Sequence, residues 1–286
     1  MSACFLLPTQ PIVKNVETSL ELWVDVKEPT DMDYPIFGQI SVYWDSFSDM
    51  IWANMVTVKG SNPIESAIRL DRYFMGEGSP WEGLVAAIYY RDSAGLGPYS
   101  RYWNINVGVL KILFSFMTLA EIRFLSYWVV LALLMFLLYR IIKIQGVKGT
   151  IPIIAAFMMT SLELHAMSLS FFGDIMLTLV FMILLTYYST DNNRRLGICS
   201  IFLVLGSLTF AVGPFVAPVM TVGMCLGLYI QLEKDNCDRK TLWKFVILNT
   251  ISWIIGYVIS MLFKQLLAEA LLGKSDGVSE ALIWFC

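Results

Sequence analysis

Residues 124–142 read FLSYWVVLALLMFLLYRII. The run is long enough, as a helix, to cross the roughly 30 Å hydrocarbon core of a bilayer, which takes about 20 residues. Its one charge, Arg140, falls near its end. The composition agrees: 57% of the 286 residues are hydrophobic and 15% charged, against about 45–50% and about 25% in an ordinary soluble domain. Mean hydropathy is +0.65. Apolar residues concentrate after position 105, so the expected organisation is a soluble segment, 1–105, followed by a membrane helical bundle, 106–286.

Further runs follow the first. Residues 150–189 are long enough for two spans hinged near Glu163 to Asp174, and 196–232 for two shorter ones broken at Gly213-Pro214, where proline removes a backbone donor. Residues 242–267 supply a sixth. Before residue 124, the stretch 107–120 is short and carries Lys111, which favours an interfacial or re-entrant helix. The expected fold class is an all-α polytopic membrane protein of about six spans plus that interfacial helix. The apolar ends, residues 1–13 and 281–286, read as cut hydrophobic helices, so truncation at both ends is expected.

The segment from Lys14 to Ile105 has seven Lys or Arg and thirteen Asp or Glu, with turn clusters at 27–30, 60–63 and 76–80. It reads as loop-rich and mainly helical, with helical spacing at 46–58 and 63–74 and a short helix at 81–90. Strand signals are weak. Five cysteines, none between Pro11 and Arg123, give neither a disulfide framework nor a CxxC metal site. A net charge of −3 without a basic stripe points to no nucleic-acid partner.

Loop charges set the orientation. Arg140, Lys143, Lys148, Arg194, Arg195, Lys234, Arg239, Lys240 and Lys244 lie in alternate loops, whereas the loops near 163–174 and 211–217 have no Lys or Arg. Nine against zero is a positive-inside signal. It places those nine in the cytoplasm and the segment from Lys14 to Trp103 outside, in a multi-pass protein expected in a bacterial plasma membrane.

The candidate site residues collect on that external side. Asp45 and Asp49 are four apart, on one face of a helix that begins at or before Asp45, where two carboxylates serve as base and acid or hold a divalent metal such as Mg2+ or Mn2+. Their other reading is a helix start, with Ser46-x-x-Asp49 close to a capping box. Asn at either position is expected to preserve the fold because it keeps the shape. Trp44 beside them suits a sugar ring. In Tyr99-Ser100-Arg101-Tyr102-Trp103-Asn104, Arg101 joins Tyr102 and Trp103 at headgroup depth, a phosphate-binding fork or an ordinary aromatic belt with a basic anchor. Glu163 and His165 lie in the external hinge with Asp174, either as functional ionisable groups at membrane depth or as a wet loop. Lys264 binds an anionic group or snorkels. No nucleotide-binding loop, GxSxG elbow or HExxH motif occurs.

Taken together, an external loop with an acidic pair, an interfacial helix and short helical hairpins resemble the GT-C superfamily of polytopic membrane glycosyltransferases. Trp44-Asp45-Ser46-Phe47-Ser48-Asp49, Tyr99-Ser100-Arg101-Tyr102-Trp103-Asn104 and Ser252-Trp253-Ile254-Ile255-Gly256-Tyr257 are similar to a set of bacterial multispanning proteins of that kind. The resemblance implies transfer of a sugar from a polyprenyl-phosphate-linked donor, with membrane lipid as the partner and a first-loop aspartate, Asp45 or Asp49, as base or metal ligand. This chain departs from the pattern in the wider spacing of its acidic pair. The rival from another class is a non-enzymatic transporter or flippase fragment, to which the helix breaks at Gly213-Pro214 and Pro218 point.

Overall fold

The computed structural model describes residues 1–24, 33–36, 40–43, 46–60, 62–75, 79–99, 102–188, 195–213 and 217–272; the side chains at 24, 33–36, 40–43, 163–164, 195–196, 217 and 272 lie outside that description. The described chain is all-α apart from two short hairpins. Its helices are α1 (Thr9–Thr18), α2 (Glu21–Val24), α3 (Ser46–Thr57), α4 (Pro63–Arg69), α5 (Pro80–Tyr89), α6 (Ile105–Phe114), α7 (Leu119–Gln145), α8 (Ile151–Met159), α9 (Leu162–Met167), α10 (Phe172–Tyr188), α11 (Arg195–Val212), α12 (Ala217–Glu233) and α13 (Arg239–Leu272). Antiparallel pairs join β1 (Asp33–Ile36) to β2 (Ile40–Tyr43) and β3 (Arg72–Phe74) to β4 (Gly95–Gly97).

Local chemistry fixes several boundaries. Asn62 caps α4, its Oδ1 accepting from Ile64 N at 3.0 Å, with Pro63 at the first helical position. The helix expected over 63–74 stops early because Leu70 turns left-handed, with φ 50°, and residues 72–74 pair as β3. Glu121 Oε2 accepts from Thr118 N at 2.7 Å and Thr118 Oγ1 at 2.8 Å, so α7 starts at Leu119 and the stretch 107–120 is not one helix.

Among the described residues two helices are long and apolar enough to cross a membrane, Leu119–Gln145 and Arg239–Leu271, with mean hydropathies of 2.1 and 1.9 in their most apolar windows. Only 22% and 17% of those windows are buried within the protein, which is not how the core helix of a soluble domain packs. The apolar stretches 147–159, 172–188, 197–212 and 218–233 are shorter.

The chain forms two compact units. The first comprises Met1–Leu125, Met167–Ser170 and Phe263–Cys286, so residues 106–125 belong with the N-terminal segment rather than with the bundle. Its core gathers Ile12, Val16, Trp23, Trp52, Val56, Leu84, Leu110 and Phe114. Asn15 Nδ2 donates to Phe114 O at 2.8 Å, and Ser19 Oγ accepts from Leu119 N at 2.9 Å, tying α1 to the α6–α7 junction. Asn54 on α3 makes a paired amide contact with Tyr73 on β3, each bond 2.8 Å.

The second unit comprises Ser126–Ala166 and Phe171–Leu262, around a core that includes Leu137, Ile153, Leu179, Phe202, Leu228 and Trp253. Within it α11 and α13 cross at backbone contact. A Cβ on Gly206 would strike Trp253 O, and one on Gly256 would strike Leu203 O. Ser207 Oγ donates to Gly256 O at 3.0 Å at the same crossing. Small residues permitting such an approach are the usual means of packing helices where lipid removes the hydrophobic drive.

Candidate functional site

Asp49 lies in the first turn of α3, and its side chain is fully buried. Desolvating a carboxylate is costly unless its lone pairs are filled. Here they are: Oδ2 pairs with the Arg123 guanidinium at 3.0 Å. Oδ1 accepts from Leu169 N at 2.8 Å, Ser168 Oγ at 2.9 Å and Ser170 N at 3.4 Å. The two serine hydroxyls are themselves 2.9 Å apart. Asp49 therefore joins α3 to α7 and to the turn before α10. That turn, Ser168-Leu169-Ser170, is the part of the arrangement that sequence reasoning missed. The only signal for it is a pair of hydroxyls in an otherwise apolar stretch.

This environment alters what Asp49 can do. A general base needs a lone pair within reach of the proton it removes, and a metal needs open coordination positions. Both oxygens of Asp49 are engaged and the side chain has no exposed surface. Among the described residues no group of three or more His, Cys, Asp or Glu could hold a metal ion. Asp49 does not fit a divalent-metal ligand; it fits a positioning residue. Asp45 and Trp44 lie outside the described residues, immediately ahead of the helix that Asp49 anchors.

A second buried charge performs a matching task. Lys264 on α13 is fully buried and does not snorkel: Nζ donates to Ile68 O at 2.6 Å and lies 4.9 Å from the centre of the Trp103 ring. Ile68 is next to last in α4, so the ammonium meets one of the carbonyls that every helix leaves unpaired at its C-terminus. Trp103 also stacks on Phe263 at 6.0 Å. Two residues singled out from sequence 161 positions apart thus meet, by a cation–π contact. Asn104, which follows, adopts left-handed φ 43° at the start of α6 with its side chain buried. Such a conformation persists only where surroundings enforce it. Tyr102 is buried, with its ring 6.3 Å from Tyr99, over which Arg72 stacks at 5.5 Å. Arg101 lies outside the described residues.

Lys111, expected as a charge in an interfacial helix, is instead fully buried and donates to Val56 O at 2.7 Å and Val58 O at 2.8 Å, at the C-terminal end of α3. Burial pushes this ammonium down to about 8. His165 in α9 has Nδ1 3.1 Å from Ser161 O, and its ring meets Phe171 edge-on at 5.2 Å. It is occupied within its own helical corner. The Glu163 side chain lies outside the described residues. A cavity of about 430 Å³ in the second unit is lined by Gln145, Lys148, Gly149, Gln231, Lys234 and Asn236, among others, none of them a residue expected from sequence to bind substrate.

Comparison with the profiles of known families, with curated proteins and with solved structures finds no match.

Proposed function

We propose that the chain is a multi-pass membrane glycosyltransferase-like protein of the GT-C kind, taking a sugar from a polyprenyl-phosphate-linked donor for a cell-envelope acceptor. Its site faces the non-cytoplasmic side of a bacterial plasma membrane. The outward apolar surface of α7 and α13, including Phe124, Trp128, Met135, Ile254 and Leu266, suits contact with lipid. Helices α10, α11 and α12, of 17, 18 and 17 residues, stand at the lower end of what spans a bilayer, about 17–25 residues. The nine-to-zero loop charge asymmetry supplies the orientation.

One observation carries the reading: two buried charges, Asp49 and Lys264, hold the short segments next to the residues with suitable chemistry. Asp49 fixes the first turn of α3, directly after Trp44-Asp45. Lys264 fixes Trp103, two residues after Arg101. Supporting residues of this kind keep reacting groups in place. In this assignment Asp45 is the base that takes the proton of the acceptor hydroxyl as the glycosidic bond forms. Arg101 meets the phosphate on which negative charge collects as the sugar departs. Trp44 and Tyr102 line the sugar and lipid sides. No metal is required of these residues.

The test is transfer from polyprenyl-phosphate-linked sugars by the protein in lipid nanodiscs. Asp45→Asn is expected to lower turnover roughly a hundredfold or more, the scale of a lost general base. Arg101→Lys keeps the charge but not the planar fork, so donor KM rises. No transfer from any such donor, or full turnover in Asp45→Asn, overturns the assignment. The rival, a transporter or flippase fragment, is favoured by the break after Val212 beside a buried carboxylate, Asp174. Lipid-linked sugar that crosses the bilayer without being consumed would select it.

A further inference from the structure

Asp174 lies in the first turn of the apolar helix α10, and its side chain is fully buried. Among the described residues, neither of its carboxylate oxygens has a hydrogen-bond partner. The contrast with Asp49 is direct, since every oxygen of that carboxylate is engaged. An isolated ionised carboxylate away from water is among the costliest groups a protein can bury, and at membrane depth ionisable residues are functional sites by default.

Its surroundings belong to α11 and α12. The carboxylate rests against Gly213, where any Cβ would collide with both oxygens. Gly213 directly follows α11, one turn after Thr209, whose hydroxyl donates to Leu205 O at 2.7 Å and meets Thr221 Oγ1 of α12 at 3.2 Å. Thr221 Oγ1 in turn donates to Pro218 O at 3.3 Å. The titratable groups on the elements packed here are Cys199 of α11, Tyr187 and Tyr188 at the far end of α10, and Cys225, Tyr229 and Glu233 of α12, with Cys225 Sγ reaching Thr178 O at 4.0 Å. His165, ahead of α10, is held at Ser161 O. On α11 the only charge is Arg195, at its opposite end. Within this unit no described cation is paired with Asp174. Among the described residues no group of three or more His, Cys, Asp or Glu gathers here that could hold a metal ion.

We propose that Asp174 is a proton-binding site in the helix bundle, held as the neutral acid where α10 packs against Gly213. The step is uptake of one proton from solvent by the carboxylate, giving the neutral acid; no other reactant is needed. Neutralisation removes the charge that apolar packing cannot tolerate. Re-ionisation at high pH favours any arrangement in which α10 moves off Gly213 and water reaches the carboxylate. The site is independent of the glycosyl-transfer reading, and a proton held between α10 and Gly213 would serve either an enzyme or a transporter.

The experiment is infrared spectroscopy of the full chain in nanodiscs, following the carboxylic-acid C=O stretch. At neutral pH wild type is expected to show a protonated-carboxyl band that Asp174→Asn removes and that raising the pH bleaches. Gly213→Ala, which crowds the carboxylate without altering it, is expected to shift the band, so the assignment survives if the Asn variant does not fold. A spectrum in which neither variant changes the band overturns the proposal. So does thermal stability that depends on Na+ at fixed pH and loses that dependence in Asp174→Asn, because the bound cation would then be a metal.

Discussion

Gly206 and Gly256 face each other where α11 crosses α13, each pressed on a main-chain carbonyl of the opposite helix, Trp253 O for Gly206 and Leu203 O for Gly256. Because backbone atoms form the contact, no side-chain rotamer can relieve it. Gly206→Ala and Gly256→Ala are each expected to lower stability by about 1–3 kcal/mol, as overpacking does, and Leu at either site by more. Ser207→Ala, which removes the hydroxyl bonds to Gly256 O across the crossing and to Leu203 O within α11 but leaves the backbone contact, should cost under about 1 kcal/mol. Denaturant titration of the reconstituted protein checks the order; an Ala variant no less stable than Ser207→Ala would show that the helices are not this close.

Asp49 and Arg123 are predicted to be strongly coupled, so that losing both costs less than the sum of the single losses. Removing one partner strands the other in a buried site, which costs about 3–5 kcal/mol. Asp49→Asn belongs in this class despite its shape: its amide loses the charge facing Arg123 and cannot match the donors from Leu169, Ser168 and Ser170 with two acceptor oxygens. The expectation from sequence that Asn at this position is benign is therefore replaced by one of clear destabilisation. A double-mutant cycle with Arg123→Met measures the coupling; additive losses would disprove it.

Lys111 yields a pH dependence with a definite sign. Its folded value of about 8 lies below the ordinary 10.5, so between those limits the unfolded chain holds a proton that the folded chain has released. Stability linked to this residue then rises with pH across that window and is flat below it. Thermal unfolding of wild type and Lys111→Met, compared between pH 7 and 10, isolates the contribution. The two curves should diverge only above about 8. Divergence in the opposite direction would mean that the carbonyls of Val56 and Val58 bind the ammonium more strongly than burial penalises it.

Topology is open to a direct experiment. Single cysteines at the exposed positions Asp92 and Asp235, in a cysteine-free background, are expected to differ in intact cells. An impermeant thiol reagent should label the first and spare the second if the proposed orientation, with Lys234 and its neighbours in the cytoplasm, holds. The reverse pattern inverts the protein and moves every candidate site residue to the other side.

Periodicity and hydropathy exposed the long elements because those are local properties. The run around Phe124 became α7, the one ending near Leu267 became α13, and the Gly213-Pro214 interruption coincides with the end of α11 at Val212. Buried polar contacts were not legible in the same way. Asp49 meets residues 119 to 121 positions away and Lys264 a carbonyl 196 positions away, while the local patterns around them, a capping box and a snorkelling lysine, describe only near neighbours. Lys111 misled for a related reason: a charge within an apolar helix signals water only when no distant helix end waits to accept it.

The first unit is threaded from three separated stretches of chain, and that gives its assembly an order in time. A ribosome delivers Asp49 long before the Ser168-Leu169-Ser170 turn that receives it, and Ile68 O long before Lys264. During synthesis both groups must wait in water or in the care of other proteins. A nascent chain arrested anywhere between Ser170 and Phe263 would already have its carboxylate clasp but still lack the lysine that closes α4. The last closure belongs to the far end of α13, so the N-terminal segment is completed only by a helix made almost two hundred residues later.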